Sequence, residues 1–232
     1  MQKLTPLEPG HYYHIYNRGV NRENIFREAR NYPYFLKLYA KHITPIAETY
    51  TYCLMRNHFH MLVRIRENVH QTDSVFKTES VLETESVLET KSVLETKSVS
   101  KAFNNFLVAY AKAINKGYGR TGALFQHHFG RIPVTTDSYF TTLIRYIHRN
   151  PYKHGFAGDF RDWPHSSYHF FATETDVVSQ TDAVSKTASV LGILVSRNSV
   201  LDWFGGLRGF QEFHAVEGNE PILNTLVEDD DD

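Results

Sequence analysis

One cysteine, Cys53, is all the thiol chemistry this chain has. That excludes an intramolecular disulfide and a cysteine-built zinc site, so a metal would have to rest on His, carboxylate or amide groups. Long apolar runs are missing too. The longest, Phe106 to Ala111, is six residues, against the roughly 20 that span a bilayer, and the first ten residues lack the apolar stretch of a secretory leader. A soluble, cytoplasmic protein without a membrane partner is expected. Net charge is nearly absent as well, at −1 over 232 residues. Hydrophobicity is not scarce: 41% hydrophobic and 14% aromatic residues exclude a wholly disordered chain and suffice for one domain with a substantial core.

The near-zero charge conceals a segregation. Residues 1–70 carry 10 Lys/Arg against 5 Asp/Glu, and residues 101–154 carry 8 against 1. Acid is concentrated elsewhere, with 6 acidic to 3 basic residues in 71–100, 6 to 4 in 155–210, and 8 to none in 211–232. A basic body with acid exported to an insert and a tail suits a phosphate-binding surface, although a solvated charged face reads the same way by charge alone.

Periodicity orders the body. His11–Arg18, with Tyr13, Ile15 and Asn17 alternating, fits a strand that turns at Gly19. Leu36, Tyr39, Ala40 and Ile43 recur at helical spacing before Pro45. Tyr50–Met55 and His58–Arg66 read as two strands joined through Arg56 and Asn57, the spacing of a hairpin. Phe103, Phe106, Leu107, Tyr110 and Ile114 mark a second helix, Leu124–Val134 a strand, and Thr136 or Asp137 caps a helix that is expected to stop at Asn150 before Pro151. Residues 155–172 look like loop anchored by Trp163 and Pro164. The order β-α-β-β-α-β-α predicts an α+β fold, a ferredoxin-like antiparallel sheet covered by helices.

Residues 74–97 are four hexads, SVFKTE, SVLETE, SVLETK and SVLETK. A hexad advances a helix by about 600°, so its apolar pairs spiral instead of forming a seam, and as a strand it has no apolar face. It is expected to be a surface insert that adds nothing to the site. Residues 180–191 repeat residues 71–82 at 9 of 12 positions. The domain is thus expected over 1–172, interrupted at 71–100, followed by a low-complexity extension over 173–210 and a disordered acidic tail over 211–232.

Two patterns bear on chemistry. His58 and His60 flank Phe59 on a strand, so both imidazoles project from one face and could converge on an ion, while Phe59, Met61 and Val63 face the core. A lone His-x-His is also commonly incidental, and a third ligand decides. Tyr146 and Asn150 are one helical turn apart on one face, continuing a stripe from Tyr139 and Leu143, amid Arg145, His148, Arg149, Lys153 and His154. Read blandly, they are a core aromatic and a helix stop. Gly117 to Gly122 spells GxGxxG, but it follows a helix and precedes a strand, the reverse of a dinucleotide loop, so a turn is expected. His127 and His128 read as DNA-facing or structural.

Taken together, Tyr12–Gly19 with its Asn17-Arg18-Gly19, Tyr52–Val63 with its His58-Phe59-His60, Gly122–Gln126, Tyr146–Gly155 and Asp162–Tyr168 resemble the single-tyrosine HUH transposases of bacterial insertion sequences, above all the REP-associated tyrosine transposases. The resemblance covers residues 10–170 apart from the insert. It implies that His58 and His60 bind a divalent metal, Mg²⁺ or Mn²⁺, that Tyr146 is the nucleophile, and that Asn150 completes the coordination, where many relatives carry glutamine. It implies a transposase that nicks and rejoins single-stranded DNA beside a hairpin of palindromic repeat DNA, through a 5′-phosphotyrosine. Candidate DNA contacts are Tyr12, Tyr13, Arg18, Arg22, Lys101, Arg120, Arg131, Arg145, Arg149 and Lys153. The family includes homodimers and monomers. The alternative is a module of the same fold that holds hairpin DNA or RNA without cutting it.

Overall fold

The computed structural model describes residues 5–67, 85–172 and 195–216. Strands β1 (Tyr12–Arg18), β2 (Ala47–Leu54), β3 (His58–Ile65) and β4 (Gly130–Val134) form one sheet in the order β2-β3-β1-β4. Every pairing is antiparallel. With α1 (Asn31–His42) between β1 and β2 and α2 (Glu85–Tyr118) between β3 and β4, this is the ferredoxin-like α+β arrangement expected from the sequence.

Strand parity separates two cores. On one face Tyr13, Ile15, Tyr52, Leu54, Phe59, Met61 and Val63 pack against Phe35 and Tyr39 of α1 and Phe103, Phe106 and Tyr110 of α2. Full burial of each such side chain contributes about 1.5–3 kcal/mol. The α1 end is pinned to the sheet, where the Tyr39 hydroxyl lies 2.8 Å from Thr49 Oγ1. Beyond Thr49 the β2 register shifts, so the side chains that follow take the opposite parity.

The other face belongs to α3 (Asp137–Lys153), which starts where Thr136 Oγ1 accepts a hydrogen bond from the Tyr139 backbone N–H. Its Phe140, Leu143, Ile144 and Ile147 pack with Tyr50, Cys53 and Leu62. This helix does not stop at Asn150. Pro151 lies inside it and the helix runs on to Lys153; proline costs only one backbone donor there, and packing along the rest of the helix holds the turn.

Other expectations need correction. The strand foreseen over 124–134 shrinks to Gly130–Val134, with Phe125 making only an isolated bridge to Gly19. His127 and His128 are both exposed. Residues 155–172 are not all loop: a 3-10 turn spans Phe160–Asp162 and α4 spans Tyr168–Ala172, while Trp163 does anchor the segment by donating Nε1–H to the Leu54 carbonyl at 3.0 Å. Gly119 and Gly122 have φ of +62° and +83°, so the GxGxxG stretch is the expected turn.

α2 begins within the hexads, at Glu85; from Val99 onward its apolar side chains pack into the core, and residues 74–84 lie outside the described residues. Two further helices, α5 (Arg197–Trp203) and α6 (Leu207–Ala215), occupy part of the expected low-complexity extension, with α6 running through Ala215 into the tail expected to be disordered from residue 211, and they bury Val200, Leu201 and Phe210 against the α3 layer. The second repeat copy over 180–191 and residues 217–232 of the acidic tail lie outside the described residues. Among the described residues, no helix is long and apolar enough to cross a membrane.

Candidate active site

The sheet face under α3 is where the histidines collect. β3 runs between β2 and β1, with His58 paired to Arg18 and His60 paired to Tyr16. Even positions of β1 share this face, so His14 and Tyr16 join the two β3 histidines, while α3 brings Tyr146 and Asn150 across from above. The His58 and His60 ring centroids are 5.3 Å apart with planes nearly perpendicular, at 88°. The His60 ring lies 5.8 Å edge-on from Tyr146 and His58 lies 4.9 Å from His154. Strand and helix thus unite the four residues that the sequence singles out for chemistry.

Hydrogen bonding fixes what these groups can do. His58 Nδ1 lies 2.7 Å from Asn57 Oδ1; an amide oxygen only accepts, so Nδ1 carries the hydrogen and Nε2 presents a lone pair. Asn150 donates Nδ2–H to the Tyr146 carbonyl at 3.2 Å. Its Oδ1 is then left as an acceptor. Both His58 Nε2 and Asn150 Oδ1 are buried without a hydrogen-bond partner, although Asn150 sits close enough to His58 to favour its charged form slightly. Two buried acceptors beside one another with no donor between them is a costly arrangement, about 1–3 kcal/mol for each unmatched group. A cation would relieve it.

The imidazoles are in the right protonation state for that role. Burial above all, with the neighbouring His154 and then Arg18, pushes His58 down to about 3. Burial, then the neighbouring His14 and His58, hold His60 well below the ordinary range. Both are neutral at pH 7 and keep ligand lone pairs. Among the described residues no group of three or more His, Cys, Asp or Glu side chains is placed to hold a metal ion. A metal here would therefore need the amide oxygen of Asn150 as its third protein ligand, and a donor set of two nitrogens and one amide oxygen suits a weakly held Mg²⁺ or Mn²⁺.

The proposed DNA contacts divide. Arg18 stands beside His58, and the Lys153 ammonium lies 5.3 Å over the Tyr146 ring; Arg22 and Lys101 are exposed. The others have internal work. Tyr13 is in the α1/α2 core, its hydroxyl accepting from the Glu8 N–H, because odd positions of β1 face away from the histidines. Tyr12 packs edge-on against Tyr50 and Phe140 at 5.1 and 5.2 Å. Arg120 is paired to Glu23 at 2.6 Å, and Arg131 lies over Phe129 and donates to Ser100 Oγ. Arg145 is buried over Phe213, and Arg149 donates to the His214 carbonyl at 3.0 Å. These two fasten α6 onto α3.

The sequence matches no family model and no curated protein. Among solved structures, that of a REP-associated tyrosine transposase bound to a REP hairpin is similar at 15% identity and a TM-score of 0.47, covering 80% of this chain and 89% of the other. Any functional case rests on the site residues themselves.

Sequence reasoning placed His154 among the basic groups around Tyr146 and missed His14 and Tyr16. Both were within reach, since they share the parity of Tyr12 on a strand whose odd positions are core. Tyr16 also explains Gly130: any Cβ there would overlap the Tyr16 ring, and that ring stacks 5.7 Å from His60 at 25°. Gly130→Ala is expected to cost about 1–3 kcal/mol by forcing the ring aside, read as a lower thermal midpoint. An unchanged midpoint would show that the ring has room to move.

Proposed function

We propose that this protein is a metal-dependent tyrosine transposase or nuclease that nicks and rejoins single-stranded DNA next to a hairpin. One observation carries the reading: the unmatched acceptors His58 Nε2 and Asn150 Oδ1 are buried together, one helical turn from the Tyr146 backbone and in the same cluster as its ring. His58, His60 and Asn150 would hold the ion. When bound, Mg²⁺ or Mn²⁺ supplies charge neutralisation at the phosphoryl group and lowers the cost of a pentacovalent state.

The chain's own groups do the rest. Tyr146 Oη gives up its proton and forms a bond to phosphorus; the bond from phosphorus to the 3′-oxygen breaks, and that oxygen leaves as a hydroxyl after gaining a proton. The product is a 5′-phosphotyrosine, and the reverse attack by a 3′-hydroxyl rejoins the strand without ATP. Arg18, beside His58, and Lys153, over the Tyr146 ring, would offset the phosphate charge. Tyr146 is only 2% exposed and the Lys153 ammonium lies 5.3 Å over its ring, so substrate entry requires the side chains that cover it to move.

That burial is the observation favouring the alternative, a hairpin-binding module that does not cut. Incubating the purified full chain with labelled hairpin-bearing single strands and Mn²⁺ separates the two. An SDS-resistant protein–DNA adduct that EDTA prevents is expected. His58→Ala and His60→Ala should each reduce it about 100-fold or more while preserving cooperative unfolding, and Asn150→Ala about 10-fold, since water can replace one ligand. Tight hairpin binding with no adduct under any divalent ion would favour the module.

A further inference from the structure

His60 Nδ1 is 2.8 Å from His14 Nε2, and both rings are essentially sealed, at 2% and 0% exposure. Their planes lie 25° apart with centroids 5.0 Å apart. A contact that short between two neutral imidazoles holds one hydrogen, and it has two possible owners. With the hydrogen on His14, the remaining hydrogen of neutral His60 sits on Nε2, which then cannot ligate anything. With the hydrogen on His60 Nδ1, the His60 Nε2 lone pair is open, and the His14 hydrogen moves to its Nδ1. That His14 Nδ1 is buried without any partner.

We infer that His14 is a positioning residue: it accepts the Nδ1–H of His60 and thereby keeps the His60 Nε2 lone pair available to a divalent ion. The inference rests on the metal reading given above. It explains why a buried imidazole is retained with one nitrogen unmatched, a state that costs about 1–3 kcal/mol relative to satisfied hydrogen bonding. Packing does not demand a histidine here. Tyr16 and Tyr146 surround the His14 ring at 5.0 and 6.4 Å, surroundings that a phenyl ring would also fill, at the cost of moving the unmatched nitrogen from His14 Nδ1 to His60 Nδ1. His58 solves the same problem differently, giving its Nδ1–H to Asn57. The two ligands thus have one acceptor each, an amide oxygen for His58 and an imidazole nitrogen for His60, the usual role of groups behind metal-binding histidines.

The test uses Mn²⁺ alone, followed by electron paramagnetic resonance on the full chain without DNA. His14→Phe should weaken Mn²⁺ binding 10–100-fold while the metal-free protein still unfolds cooperatively, with a thermal midpoint only modestly lowered because His60 Nδ1 loses its partner. His14→Gln, which restores an acceptor, should recover most of the affinity. Equal Mn²⁺ affinity in wild type and His14→Phe would overturn the positioning role and leave the metal site standing. No Mn²⁺ binding by wild type would remove the metal reading, and this inference with it. Ring ¹⁵N shifts of wild type saturated with Mg²⁺ give an answer that needs no variant: the hydrogen of His60 on Nδ1 supports the inference, and a hydrogen on Nε2 overturns it.

Discussion

Tyr146→Phe should abolish the covalent protein–DNA adduct, a fall of at least about 1,000-fold, with hairpin affinity and thermal stability essentially unchanged. The substitution removes one oxygen and keeps the ring that lies 5.8 Å from His60 and beneath the Lys153 ammonium. Loss of the adduct with intact binding would separate chemistry from recognition. An undiminished adduct in gel electrophoresis under SDS would remove Tyr146 from the reaction. Tyr139, two helical turns back, and Tyr152, 49% exposed on the outer side of the same helix, would be tested next.

Mild acid should unfold this protein. An imidazole in the unfolded chain titrates near 6.5, whereas burial holds His14 and His58 down to about 3 and His214 down to about 4, and His60 and His148 also well below the usual range. Between those values the unfolded chain binds more protons than the folded one, so stability is full above about pH 7 and is lost as pH falls toward 4. Each fully buried imidazole loses about 2 kcal/mol by pH 5, and several together approach the whole 5–15 kcal/mol of a typical domain. Urea unfolding at pH 8, 6 and 5 reads this directly. A stability that is flat between pH 7 and 5 would show that the histidines are not held neutral.

Much of this network is structural. His214 donates Nδ1–H to the Phe210 carbonyl at 2.8 Å, which makes its Nε2 an acceptor for His148 Nδ1–H at 2.9 Å. His148 Nε2 then accepts from Thr51 or Ser167, at 2.7 and 2.9 Å. One directional chain therefore ties α6, α3, β2 and the segment before α4 together, and a proton added to His148 or His214 breaks it.

How much of this the sequence discloses depends on the residue. Alternation places His58 and His60 opposite Phe59 and Met61, and helical spacing sets Tyr146 over Asn150, because local geometry alone fixes those relations. Arg120, Arg145 and Arg149 are different: each is consumed by a partner remote in sequence, Glu23, Phe213 or the His214 carbonyl, and a count of basic residues cannot tell a spent cation from an available one. α5 and α6 escape notice because they have little to identify them without α3 to pack on. The hydrogen bond between His14 and His60 depends on strand pairing across 46 positions, which no local pattern reveals.

The repeat tract occupies a forgiving address. It follows Ile65, the end of β3 opposite His58, about 23 Å away for a strand of this length, and it leads into α2 on the amino-terminal side of Val99, Phe103 and Phe106, which pack into the core. Gaining or losing whole hexads adds or removes residues ahead of Val99 and leaves the spacing of the core residues from Val99 onward unchanged. Variation in the number of repeats is therefore expected to change the length of the protein and leave the proposed site intact, which the thermal midpoint and adduct yield of variants with one hexad more or fewer would read directly.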